Sequence, residues 1–485
     1  MTGPPNAEIH RWRAFAVLVV CYFMTIVDLT IVNVALPTIG RDLHFSESNL
    51  QWVVTAYGLT FGGFLLLGGR AADLLGRRRI LMVGLAVFTA ASLGAGLATT
   101  DRVLIAMRGL QGLGAAIVLP AALSIVMNLF AEGAERNKAL GLWGGIGAAG
   151  ATVGLITGGL LARYAGWEYI FFLNVPIGLA ALALAPRIVP ESRLEGVRRR
   201  FDPLGAITVT GGLLLFVYAL SKAPDVGWSA ARSIGLLGAS AALLVAFLVI
   251  EARVEAPLMP LRIFRIRTVA AANAVGLLLG ASFFGFIFVG TLYMQQVLGY
   301  SALQTGVAWL AASLTSVAMA GISQLLVTRI SPGPVMAVGM ALIGGGILWA
   351  TAVPVGGHFW SALAGPFFVA GAGTAFSFIP ISIAGLAGVE QRDGGLASGL
   401  LNTSQQLGGA IGVAIASTVA ATHFKTLVGD GAATNAALTG GFQWAIWVCG
   451  TIALLALPTI ALLFARRGRR PLEAHVPAME ADGGS

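Results

Sequence analysis

Charge is what this chain has least of. Only 11% of its 485 residues are Asp, Glu, Lys or Arg, while 57% are hydrophobic. A soluble globular domain carries about 25% charged residues, so an ordinary soluble domain is excluded. Cysteine is nearly absent: Cys21 and Cys449 fall in predicted helices near opposite ends of the chain and read as packing residues, not as a disulfide or metal ligands. The five histidines, His10, His44, His358, His423 and His475, are placed in loops or tails, and no two have metal-ligand spacing. No nucleophile–base pair appears either, so neither a metal centre nor an enzyme is expected. Lysine is scarce as well, with Lys138, Lys222 and Lys425 the only lysines among 30 basic residues, a bias that fits a GC-rich bacterial genome. The +9 net charge is scattered in short clusters, without the continuous basic face that nucleic acid requires.

What the chain does have is a succession of apolar runs. About 20 such residues let a helix cross a hydrocarbon core of about 30 Å. Spans are predicted near 14–37, 51–69, 80–98, 103–127, 139–161, 168–186, 204–221, 232–251, 269–290, 304–327, 335–354, 360–385, 396–420 and 441–465. The first continues through Asp28 without a small-x-small cleavage site, so it reads as an uncleaved spanning helix. An even count puts both tails on one side. Of the 30 basic residues, 23 fall on that side, six fall opposite, and Arg108 lies within a helix. The positive-inside rule then makes both termini cytoplasmic, in a bacterial inner membrane.

The longest connections, near 187–203 and 252–268, bracket a helix pair. The expected organisation is an all-α polytopic protein: a six-helix half at 1–186, an inserted hairpin with its linkers at 187–268, a second six-helix half at 269–465 and a tail at 466–485. Gly150, Gly154 and Gly158 in the fifth helix are echoed eight helices later by Gly408 and Gly412, a faint internal repeat. The hairpin shows no intramembrane charge and is assigned no transport chemistry. The stretch at 421–440, rich in Ala, Thr and Gly, reads as a flexible connector.

An ionisable group inside the membrane is expensive and therefore a functional candidate. Asp28 lies roughly 13 Å and Arg108 roughly 8 Å from the outer helix ends at 1.5 Å per residue. Burial disfavours a carboxylate's charge and a neighbouring arginine favours it, so a change in either loads or unloads a proton. Asp28 is the expected proton site, with Arg108 its modulator; a permanently ionised, purely structural pair is the alternative. In the short loop GGRAADLLGRRRIL, Gly69, Asp73, Gly76, Arg77 and Arg78 combine a tight turn with both charge signs, which suits a cytoplasmic latch as well as a topology signal.

Gly150, Gly154, Gly158 and the adjacent Gly159 allow another backbone to approach closely, either as static packing or as a sliding seam between the halves. Candidates for lining a substrate cavity are Asn33, Gln111, Trp143, Phe284, Asn402 and Gln405; interhelical hydrogen bonding or core packing accounts for them equally.

With these residues in view, the chain resembles the fourteen-helix drug:proton antiporters of the major facilitator superfamily over essentially its whole length. The resemblance is carried by DLTIVNVALP, GGRAADLLGRRRIL, RGLQGLGAA, GAAGATVGLITGGLL, YIFFLNVPIG and LASGLLNTSQQLGGAIG. It implies alternating access, no cofactor beyond a proton gradient, and a part for Arg108 in proton transfer. The implied partners are the lipid bilayer, protons and a small lipophilic drug or antibiotic, with a single chain as the working unit. Proton-coupled uptake, or export of a metabolite or siderophore, uses the same fold. Leu155 stands where the antiporter motif has proline, Leu74 replaces a residue commonly basic, and Glu168 and Tyr169 replace arginine and tryptophan.

Overall fold

A computed structural model describes residues 5–45, 50, 52–131, 133–192, 202–254, 257–390 and 393–464. Among these there is no strand. The helices are α1 (Pro5–Asp42), α2 (Trp52–Leu75), α3 (Arg77–Gly96), α4 (Asp101–Leu129), α5 (Ala134–Tyr164), α6 (Glu168–Ile188), α7 (Pro203–Val226), α8 (Ala231–Arg253), α9 (Arg267–Gln296), α10 (Ala302–Arg329), α11 (Pro332–Trp349), α12 (Ala364–Leu386), α13 (Gly394–Gly429) and α14 (Thr434–Leu462). Thirteen are long and apolar enough to cross a membrane on those grounds alone; α5, with 31 residues, lies along α1 and completes the set of fourteen. The chain therefore has the expected all-α architecture of two six-helix halves and an inserted hairpin.

The turns between helices are short and locally encoded. Gly76, at φ 106°, is the single residue between α2 and α3, a backbone conformation that glycine adopts without strain. Asp202 accepts from the Gly205 N–H at 2.9 Å and starts α7, while Ser301 and Gln304 form a capping box at α10. Gly227, at φ 102°, closes α7.

Several helices run past their apolar stretches. α13 continues to Gly429 and α14 begins at Thr434, so the expected connector at 421–440 is mostly helix. His423 is accordingly helical, its ring stacked on Trp444 at 4.7 Å, and His10 lies in α1. Hydropathy marks where lipid ends, whereas backbone hydrogen bonding continues the helix into water.

Two main cores follow the two halves, and the first also takes in Val269, Leu386, Leu396 and Leu400 from the second half. One gathers side chains such as Leu18, Phe61, Leu85, Leu119 and Phe130, and it takes in Val209, Leu213 and Phe247 from the hairpin. The other gathers Leu279, Phe286, Trp309, Met340 and Phe367. Within each half a glycine face brings two helices together. A Cβ on Gly154 would lie 2.8 Å from the Val27 carbonyl of α1, and one on Gly158 2.5 Å from that of Ile31. In the second half, side chains on Gly408 and Gly412 would collide with the Leu277 and Ala281 carbonyls of α9. The repeat read from sequence is thus a repeat of packing, with α5 on α1 and α13 on α9. It also corrects the sliding-seam expectation: Gly150, Gly154 and Gly158 face a helix of their own half, and Gly159 is buried beside them. The side chain of Leu155 lies outside the described residues.

Candidate functional site

Asp28 and Arg108 meet in the interior of the first half. Both side chains are fully buried, and Arg108 Nη1 donates to Asp28 Oδ2 at 2.6 Å. Two more donors converge on the other carboxylate oxygen: Gln111 Nε2 at 3.1 Å and Asn174 Nδ2 at 2.8 Å. Every partner donates, which an ionised, acceptor-only carboxylate requires.

The arginine is held as firmly. Its Nε donates to the Val53 carbonyl at 2.9 Å, its Nη1 also reaches Gln111 Oε1 at 3.0 Å, and its guanidinium carbon lies 4.4 Å from the centre of the Tyr57 ring. Its Nη2 is buried without a partner among the described residues. Gln111 in turn donates to Ser92 Oγ at 2.8 Å. One network thus ties α1, α2, α3, α4 and α6 around a single carboxylate. The sequence identified Asp28 and Arg108 as charges in apolar helices, and it offered Gln111 for a cavity; Gln111 is instead fully buried in the network. Asn174, Ser92 and Tyr57 were missed. The signal available for Asn174 was an amide at the start of an apolar helical segment, which does not tell which way the side chain points.

A second polar cluster lies on the side of the bundle where α1 begins, here called the tail side. Asp73, near the end of α2, is 3% exposed. Its Oδ1 accepts from Arg77 Nη2 at 2.9 Å and from the Gly395 N–H at 2.9 Å, and its Oδ2 accepts from the Leu396 N–H at 2.8 Å. Gly395 and Leu396 open α13 in the other half, so Asp73 caps a helix across the junction and faces its positive end. One turn earlier, Arg70 donates to Asp393 Oδ1 at 3.4 Å. The expected loop motif therefore divides by role. Gly69, Asp73 and Arg77 join the two halves or support the residue that does. Arg78 serves the first half, donating at 3.1 Å to the carbonyls of Pro186 in the last turn of α6 and of Val189 just after it.

The remaining candidates disperse. Trp143 is buried and stacked on Tyr22 with ring centres 4.2 Å apart. Asn33 is exposed but donates to Leu29 and Thr30 carbonyls of its own helix, and Asn402 likewise returns to Ser398 at 2.9 Å. Gln405 and Phe284 are half-buried, the latter against Phe283. Glu251, in the last turn of α8, is a buried charge in a hairpin that the sequence reading took as free of one.

Residues 18–413 match the model of the Major Facilitator Superfamily. The puromycin resistance protein pur8 of Streptomyces alboniger is 36% identical over 435 residues, covering 89% of this chain and 86% of that protein. The cephamycin export protein CmcT of Amycolatopsis lactamdurans is 38% identical over 423 residues, 86% of this chain and 87% of its own. Among solved structures, the human organic anion transporter MFSD10 (TETRAN) superposes with a TM-score of 0.67 at 15% identity, covering 94% of this chain and all of that one. The proton:xylose symporter XylE gives 0.64 at 14% identity, covering 94% of this chain and 96% of its own. At those identities the likeness is one of fold.

Proposed function

This chain belongs to the major facilitator superfamily, and on that premise we propose that it is a proton-coupled antiporter exporting drugs or antibiotics across a bacterial cytoplasmic membrane. The observation that carries the reading is the buried Asp28–Arg108 pair, a titratable acid sequestered from water beside a fixed cation. A proton on Asp28 cancels the charge that Arg108, Gln111 and Asn174 are arranged to meet; its loss restores the pair. The same carboxylate thereby alternates between two sets of contacts, which is what coupling to a conformational change needs.

The rocking units are residues 1–186 and 269–465, with the tail side cytoplasmic, as the placement of 23 of the 30 basic residues supports. Asp73 on the start of α13 holds the cytoplasmic side shut, and the proton reaches Asp28 from outside. It leaves inward after the latch opens, as substrate is taken up. Each proton moving down the membrane potential supplies about 2.3 kcal/mol per 100 mV. Substrates are lipophilic small molecules, with puromycin and a cephamycin the first to try because relatives are named for them.

The test is purified protein in liposomes with puromycin or a cephamycin at equal concentration inside and out, and an imposed pH gradient that drives protons inward. Substrate leaving against its own gradient, and stopping when the proton gradient is collapsed, is the expected result. Accumulation driven in the direction of proton flow makes the protein a symporter, and substrate movement indifferent to the gradient ends the proposal.

A further inference from the structure

Among the described residues the halves touch along two seams. On one, α5 runs against α10: Asn137 donates to Thr328 Oγ1 at 3.2 Å, a Cβ on Gly141 would lie 3.1 Å from the Gln324 side chain, and one on Gly145 3.5 Å from Ala320. Each four-residue step along α5 matches four residues back along α10, as two antiparallel helices require. On the other seam, Asp73 meets Gly395 and Leu396, and a Cβ on Gly399 would lie 2.8 Å from the Leu65 carbonyl. Both sets of contacts lie toward the tail side.

Beyond Leu65, α2 exchanges one neighbour for another. A Cβ on Gly63 would lie 2.7 Å from Leu214 Cγ and one on Gly62 4.0 Å from Val217, both on α7. Further along, Trp52 stacks on Tyr218 of α7 with ring centres 5.9 Å apart. The tip of the hairpin then reaches α13, where Trp228 Nε1 donates to Thr418 Oγ1 at 2.8 Å. At the tail end the return linker is fastened too: Glu251 accepts from the Leu258 and Met259 N–H groups at 3.1 and 3.0 Å, and Arg70 donates to the Pro257 carbonyl at 3.1 Å. Arg262 completes this end with Asp393, 3.5 Å away.

Among the described residues the hairpin packs on α2 and α13, with no comparable packing along α5 or α10. The apolar side chains of Val153 on α5 and of Val307, Leu314 and Val317 on α10 are left exposed. We infer that the inserted hairpin seals the wedge between α2 and α13, so that lipophilic molecules pass between bilayer and transport path only through the α5–α10 seam. Two half-bundles that rock against each other leave a wedge on each side, and acyl chains enter any wedge not filled by protein. Here one is filled by α7, held at the tip by Trp228 and at the base by Glu251 and Arg70. The inference gives the export reading its substrate route, but its test reads lipid contact and stands or falls apart from transport.

The full-length protein is placed in liposomes containing a phosphatidylcholine with a diazirine on its acyl chain, irradiated, and its adducts are mapped by mass spectrometry. We expect adducts on α5 and α10 around Val153 and Val307 several-fold above those on residues 52–65 of α2 and 411–418 of α13. A variant carrying Leu214→Ala and Trp228→Ala, checked for folding by size exclusion, should raise labelling of α2 and α13 toward that of the open seam. Equal labelling of both seams in the unaltered protein overturns the inference, whether or not the variant folds. So does a folded variant whose α2 and α13 labelling does not rise.

Discussion

Gly69 and Gly395 meet backbone to backbone where α2 of the first half crosses α13 of the second. A side chain added to either would collide with the carbonyl oxygen of the other, so this junction closes only because both positions lack a Cβ. The two residues thus bring Asp73 within reach of the α13 N–H groups. Gly69→Val should hold the tail side apart without touching the Asp28 network. Cysteines at Asn137 and Thr328, whose side chains are 3.2 Å apart across the other seam, should then cross-link several-fold more slowly than in the unaltered protein.

Asp73→Asn tests the capping contact itself. The amide keeps one acceptor but loses the charge that faces the α13 N-terminus and Arg77. Losing a negative charge at a buried helix N-terminus costs about 0.3–2 kcal/mol, which is up to about a thirty-fold shift between the closed and open tail-side populations. Spin-label distances across the junction should report that shift, and an unchanged distribution would assign Asp73 to α2–α3 geometry alone.

Sequence reading recovered the parts of this site that are rare events in lipid. A carboxylate or guanidinium in an apolar helix is conspicuous, so Asp28 and Arg108 were legible; Asp73 was legible from the spacing of a charged turn, although it lies in the last turn of α2 and not in a loop. The four-residue glycine spacing was legible as close approach, but spacing does not name the partner. Only the structure assigns α1 to Gly150, Gly154 and Gly158, and gives the contact between halves to Gly141, Gly144 and Gly145. Asn174 and Ser92 were hidden because a lone amide or hydroxyl in a helix satisfies itself on its own backbone as easily as on a neighbour, as Asn33 and Asn402 do. The hairpin was misread because Glu251 sits at the margin of an apolar run, where a charge ordinarily faces water.

Arg108→Lys keeps the positive charge and removes the fork. A single ammonium cannot reproduce the Val53 carbonyl bond made by Nε together with the Asp28 and Gln111 bonds made by Nη1. Losing one charge-assisted bond costs about 1.5–3 kcal/mol. Gradient-driven efflux in liposomes should fall while protein yield and oligomeric state hold. Full efflux would reduce Arg108 to a source of charge.

Asn174→Ala removes one of the two donors on Asp28 Oδ1 and leaves the ion pair on Oδ2. Its expected signature is a split. Net efflux driven by a pH gradient should drop, whereas substrate exchange at equal pH on both sides, which needs no net proton movement, should persist. A fold defect would lower both together, so the ratio of the two rates separates positioning from structure.

Asp28→Asn is the decisive substitution because it is nearly isosteric and removes the ability to carry a proton's worth of charge. One side of the new amide still accepts from Arg108, but the other now presents N–H groups to Gln111 and Asn174, which are themselves donors. Breaking a buried ion pair costs about 3–5 kcal/mol when the partner charge stays behind. Some loss of thermal stability is therefore expected along with the functional effect, and stability must be measured in the same preparation. If Asp28 is the coupling acid, folded Asp28→Asn protein should bind and exchange substrate at equal pH yet show no pumping against a substrate gradient at any imposed pH difference. Asp28→Glu keeps the acid but adds a methylene to a fully buried site, so it should retain partial pumping if its packing is accommodated. Undiminished pumping by the asparagine variant would move the proton site away from this network altogether.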